Sequence, residues 1–156
     1  CVESLEGSMI NKLSHVYASQ GLELTKKYYL GDKNPENLAV ASFLGGTSIV
    51  NSEVGICHAL SYGISQILNI RHGLANCIVF NVLEEFYGHH VKIFRDFIVK
   101  NEINLPKNIS QNLSKKDISI MIDIALLMER PLKNALGDEW KKKIYNMDLE
   151  SLYKKM

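Results

Sequence analysis

The chain lacks an excess of either charge. Eighteen Lys and Arg face 17 Asp and Glu, a formal net charge of +1 across 156 residues. So even a balance offers no electrostatic footprint for nucleic acid, and the lysine clusters at Lys141–Lys143 and Lys154–Lys155 read as solvated helix faces. Cysteine is scarce and odd in number, with only Cys1, Cys57 and Cys77. That excludes a disulfide framework and implies reduced thiols in a cytosolic protein. No apolar run is long enough to cross a membrane, and no signal peptide precedes the first helical pattern, so a cytoplasmic location is expected. Runs of alternating apolar and polar residues are also missing, as is any repeat of fixed period. The expected class is therefore all-α, a helical bundle formed by one domain, 1–156, of a size that buries a real core.

Helical signals account for nearly the whole sequence. Cys1 to Glu6 has no capping residue ahead of its pattern and reads as a helix entered partway, so the chain is expected to be the C-terminal piece of a longer polypeptide. From Met9 to Leu30, Leu13, Val16, Tyr17, Leu24 and Tyr28 recur at helical spacing, and Gly31–Asp32 closes the segment. Asn34–Pro35 opens the next helix, in which Ala41, Ser42, Gly45, Gly46 and Ser48 are small enough for close helix contact. The helix that begins near His72 is expected to run through Val82 to Tyr87 and end at Gly88. His89 and His90 beside that boundary read as exposed cap residues, and a loop follows at 103–112. Ser114, with Asp117 three residues on, forms a capping box. Pro131 to Gly137 forms a short helix, and two more follow, capped by Asp138 and Asp148.

Two histidines stand apart from these regular patterns. In Gly55–Asn81, GICHALSYGISQILNIRHGLANCIVFN, His58 and His72 are flanked by small or apolar residues instead of the charges of a solvated surface. On one straight helix their fourteen-residue separation would span roughly 21 Å, too far for one ion. They meet only if the chain turns at Asn69–Ile70–Arg71, where Asn suits a helix C-cap. The residues alone leave two readings open: a shared metal ion, or two histidines hydrogen-bonded in the core. Cys57 is adjacent to His58 and so points about 100° away from it on a helix, which argues against both holding one ion.

The stretch Gly55–Ile56–Cys57–His58–Ala59–Leu60, followed by His72–Gly73–Leu74–Ala75–Asn76, resembles the signature of the iron-containing alcohol dehydrogenases. The resemblance covers essentially the whole chain as that family's helical C-terminal domain. It implies that His58 and His72 are two of four ligands to a divalent metal, Fe²⁺ or Zn²⁺. The other two, an Asp and a His four residues after it, would precede Cys1. It further implies an α/β domain, absent from these residues, that binds NAD(P), and a small-molecule alcohol as substrate. A homodimer is compatible with this reading, and the chain alone is expected to be inactive. Tyr62 stands where many family members have another histidine. One helical turn beyond His58, it is expected to face the same cleft and to hold substrate or relay a proton, or else to be a core tyrosine. Motifs around His58–Gly63, Asn81–Tyr87 and Pro131–Gly137 resemble one branch, which contains 3-deoxy-D-manno-octulosonate 8-oxidase. The competing reading is a stand-alone helical interaction domain whose histidines fill the core.

Overall fold

A computed structural model describes residues 1–156 and contains helices only. In chain order these are α1 (Val2–Glu6), α2 (Lys12–Lys27), a π turn (Tyr28–Asp32), α3 (Pro35–Asn51), α4 (Ile56–Leu68), α5 (His72–Val82), α6 (Glu84–Lys100), α7 (Lys115–Leu126), α8 (Glu129–Leu136), α9 (Trp140–Tyr145) and α10 (Leu149–Lys154). The all-α expectation is met. No helix is long and apolar enough to cross a membrane.

The centre of the bundle is α4. Ile56, Ala59, Leu60 and Ile64 are wholly buried along it and pack against α5, α7 and α8. Each large aliphatic side chain buried in this way contributes about 1.5–3 kcal/mol relative to exposure. Tyr153 of α10 carries its hydroxyl into this core and donates to the Leu60 and Met121 carbonyls at 3.0 and 3.3 Å. Its pKa is raised by burial.

The caps follow the local chemistry. Asn11 accepts from the amides of Leu13 and Ser14, Asn34 from Glu36, Ser114 from Asp117, and Asp148 from Ser151. Asp138 does not cap α9; its carboxylate instead lies 3.0 Å from Lys133.

Two expectations from apolar spacing are corrected. On α2 the buried residues are Ser14, Ala18 and Gly21, while Leu13 and Val16 are exposed. The reason is the neighbour: α2 lies so close on α3 that a Cβ at Gly21 would sit 3.3 Å from the Ala41 carbonyl, and only small residues fit the seam. On α3, Ala41 and Ser48 share that buried face, whereas Ser42 and Gly46 turn outward. The second correction concerns the end of α5. The helix stops at Leu83, whose φ of −94° and ψ of 36° leave the helical region, and α6 runs on through a kink at Gly88. His90 is consequently not exposed: its side chain is almost covered and reaches Glu6.

Candidate metal centre

The corner between α4 and α5 forms as its residues dictate. Asn69 takes the left-handed conformation, φ 50° and ψ 37°, and terminates α4 at Leu68. Asn tolerates this region better than most residues because its short polar side chain bonds locally. Arg71 then starts α5 with His72 as its first residue. The turn returns His72 to the side of α4 that carries His58, and the ring centroids lie 5.4 Å apart.

The rings are aimed as well as close. His58 Nε2 lies 3.3 Å, and His72 Nε2 3.2 Å, from one atom, the Asn76 side-chain nitrogen. Sharing that neighbour keeps the two Nε2 atoms within about 6.5 Å of each other, so a modest movement of the rings would bring them to the roughly 4 Å that two metal–nitrogen bonds span. The Asn76 oxygen is buried and has no hydrogen-bond partner. Two imidazole lone pairs thus face one point, which the Asn76 NH₂ occupies here and which a cation between the rings could take in its place. No third His, Cys, Asp or Glu joins the two histidines at that point.

On its other edge His58 meets a carboxylate that sequence reasoning missed. His58 Nδ1 hydrogen-bonds Glu3 Oε2, while Glu3 Oε1 accepts from the Cys57 amide at 2.7 Å and the Tyr87 hydroxyl at 3.1 Å. Glu3 is only 7% exposed. Burial raises its pKa, but the hydrogen bond from His58 outweighs that, helped by bonds from the backbone and Tyr87, and the net shift is downward. Tyr87 is pushed up by burial and by the charge of Glu3. At Gly55 a Cβ would lie 2.9 Å from both Glu3 Oε1 and the Tyr87 hydroxyl, so this network leaves no room for a side chain. The one sequence signal was an acidic residue on the apolar face of α1, where an unpaired charge is costly.

Asn134 of α8 holds the parts together. Its oxygen accepts from the Met9 amide at 2.8 Å, and its nitrogen donates to the Glu53 and Val54 carbonyls at 3.2 and 3.0 Å. One buried side chain thereby ties the exit of α1, which carries Glu3, to the entry of α4, which carries His58.

Tyr62 is not a core residue. It is 39% exposed, and its ring stacks on His72 with centroids 5.0 Å apart and planes at 16°. His72 is itself exposed and does not fill the core. Its pKa is lowered by partial burial and then by His58, with Glu3 acting in the opposite sense. Cys57 turns away, its thiol 3.3 Å from the Asn76 carbonyl oxygen and its pKa raised by burial and by the charge of Glu3. All three cysteines are free. A cavity of about 300 Å³, with Val2, Leu22, Phe80 and Phe94 among its walls, reaches His58 and Asn76. A groove of about 480 Å³ between α7, α9 and α10 shares no residue with the histidine corner.

Fold and corner together define a class, an all-helical domain that turns two imidazoles toward one point at a helix–corner–helix junction. The profile "Fe-containing alcohol dehydrogenase family, C-terminal" matches residues 23–120, and the chain belongs to that family. The bifunctional aldehyde-alcohol dehydrogenase AdhE of Escherichia coli K12 is 29% identical over 86 residues, 50% of this chain and 10% of that protein. Alcohol dehydrogenase 4 of Schizosaccharomyces pombe is 26% identical over 92 residues, 54% of this chain and 22% of that protein. The chain thus spans a minor part of the length of these curated relatives.

Proposed function

We propose that the chain is the metal-binding helical domain of a metal-dependent alcohol oxidoreductase, with His58 and His72 as ligands to one Fe²⁺ or Zn²⁺ ion. The observation that carries this reading is the convergence of both Nε2 atoms on the Asn76 amide. A bound divalent ion would polarise the oxygen of a substrate alcohol and lower its pKa. The chain's own residues do the rest: Asn69 sets the corner, Asn134 fixes α1 against α4, and Tyr62 presents an exposed phenol beside His72. That phenol is proposed to hold a bound alcohol by a hydrogen bond and to pass on its proton.

The remaining donors, an Asp and a His four residues after it, are proposed to lie immediately ahead of Cys1, and an α/β domain further ahead to supply NAD(P) as hydride acceptor. Without them the chain is proposed to bind metal weakly and to turn over no substrate. The substrate is proposed to be a primary alcohol. The finer candidate, the 8-hydroxyl of 3-deoxy-D-manno-octulosonate, rests on motif resemblance, and the motif residues have other employment here. Arg95 donates to Asn81 and pairs with Glu84, and Asn134 is consumed by backbone contacts.

The test is metal analysis of two proteins, residues 1–156 and a chain extended through the residues ahead of Cys1. The short protein is expected to retain little Fe²⁺ or Zn²⁺ and the longer one close to one equivalent. Tight binding by the short protein, or none by the longer, would overturn the ligand assignment.

A further inference from the structure

We infer that Glu3 is the positioning residue that decides which nitrogen of His58 faces the metal, an inference that rests on His58 being a ligand. It follows from a count of donors. An ionised carboxylate only accepts, so the hydrogen bond between Glu3 Oε2 and His58 Nδ1 requires the proton on Nδ1. A neutral ring protonated there has its lone pair on Nε2, the atom aimed at Asn76 and toward His72. The Asn76 nitrogen is itself a donor, so it too requires an accepting Nε2. Two neighbours on opposite edges of the ring therefore select the same tautomer.

Glu3 cannot swing away from this task. Its other oxygen is held by the Cys57 amide at 2.7 Å and the Tyr87 hydroxyl at 3.1 Å, both donors. Gly55 closes the remaining space, since a Cβ there would lie 2.9 Å from Glu3 Oε1. A glutamine of the same shape has one accepting and one donating arm. If its oxygen takes the place of Oε1, its NH₂ faces Nδ1 and forces the proton to Nε2, where it blocks the metal. If it is turned over, the NH₂ opposes the Cys57 N–H and the Tyr87 O–H. Only a carboxylate satisfies all three donors, as expected of a group that orients a metal-binding imidazole.

The experiment uses residues 1–156 with ¹⁵N-labelled histidine. Long-range ¹H–¹⁵N correlation reads the protonated ring nitrogen, and Zn²⁺ titration of the His58 signal reads affinity. Wild type is expected to carry the Nδ1 proton. Glu3→Gln is expected to move it to Nε2 and to weaken Zn²⁺ binding at least about tenfold, the usual scale for lost outer partners of a ligand. Tyr87→Phe disturbs the same network without changing the group facing Nδ1. It is expected to leave the tautomer unchanged and affinity within about threefold, whereas a merely structural role for Glu3 would make the two variants alike.

An Nε2 proton in wild type overturns the inference, with no variant needed. So does a folded Glu3→Gln that keeps the Nδ1 proton and wild-type affinity, an outcome that leaves the metal reading intact. A moved proton with no Zn²⁺ response in any protein, the chain extended ahead of Cys1 included, supports the role of Glu3 in setting the ring and refutes the metal reading instead.

Discussion

The chain holds two pairs of histidines, and they differ in nearly every physical respect. His58 and His72 are far apart in sequence, come from two helices, and turn both Nε2 atoms to one amide. His89 and His90 are adjacent on α6, with ring centroids only 3.9 Å apart, yet converge on nothing. The first pair is backed by Glu3, buried and held from three sides; the second has Glu6, which is 46% exposed and reaches His90 Nε2 at 3.2 Å. Proximity is therefore not what makes lone pairs converge. Placement on two helices and a fixed far edge do, and both require long-range packing.

The largest expected contrast is in metal binding. His58→Ala or His72→Ala should weaken Zn²⁺ binding by more than about tenfold, while His89→Ala and His90→Ala should change it less than about twofold. Calorimetric titration of the four variants in the chain extended ahead of Cys1 decides this, and an equal loss in the second pair would erase the distinction.

Next comes stability. Glu3→Ala leaves the Cys57 amide and the Tyr87 hydroxyl buried without an acceptor and should cost about 3 kcal/mol. Glu6→Ala removes an exposed partner and should cost under about 0.5 kcal/mol. Urea unfolding of both proteins measures the gap.

Each pair also follows a glycine that is needed for a different reason. Gly55 is confined by neighbours, whereas Gly88 has nothing within 4 Å but adopts φ +45°. Alanine at either position should cost about 1–2 kcal/mol, yet only Gly55→Ala should shift the ring signals of His58, and only Gly88→Ala those of His89 and His90.

The smallest effect is in pH. His90 is held below the usual histidine value by burial and by His89, with Lys26 in the same sense and Glu6 opposing. The folded state then binds fewer protons than the unfolded one, so stability contributed by a neutral His90 is present above about pH 6.5 and lost as pH falls through the lower folded value. His72 shifts in the same direction through burial and His58. His90→Gln should flatten part of the slope of stability against pH below about 6.5 and leave the His72 part, as read from urea midpoints across that range.

These contrasts also show how far the sequence could be read. The helix class, the corner at Asn69 and the approach of His58 to His72 follow from local signals: a tolerated left-handed Asn, and apolar periodicity on either side of it. The caps at Asn34, Ser114 and Asp148 are equally local. Where sequence reasoning failed, neighbours decided the outcome. The buried face of α2 is its small one because α3 lies against it, and α5 stops at Leu83 although nothing in its composition marks that residue. Glu3 is illegible in the sequence because its partners are 54 to 84 residues away, and only the packing of α1 against α4 and α6 brings them together. The side of α4 that Tyr62 occupies follows from its spacing to His58, but its stacking on His72 depends on where the corner delivers the second ring.

That His58 and His72 share one ion is the central claim, and a single titration addresses it. Zn²⁺ is added to residues 1–156 while the side-chain nitrogen signals of all five histidines are followed together. His58 Nε2 and His72 Nε2 are predicted to shift in parallel with one common midpoint, while His15, His89 and His90 stay unmoved until far higher Zn²⁺. Separate midpoints for His58 and His72, or shifts of His89 and His90 at lower Zn²⁺ than theirs, would contradict it.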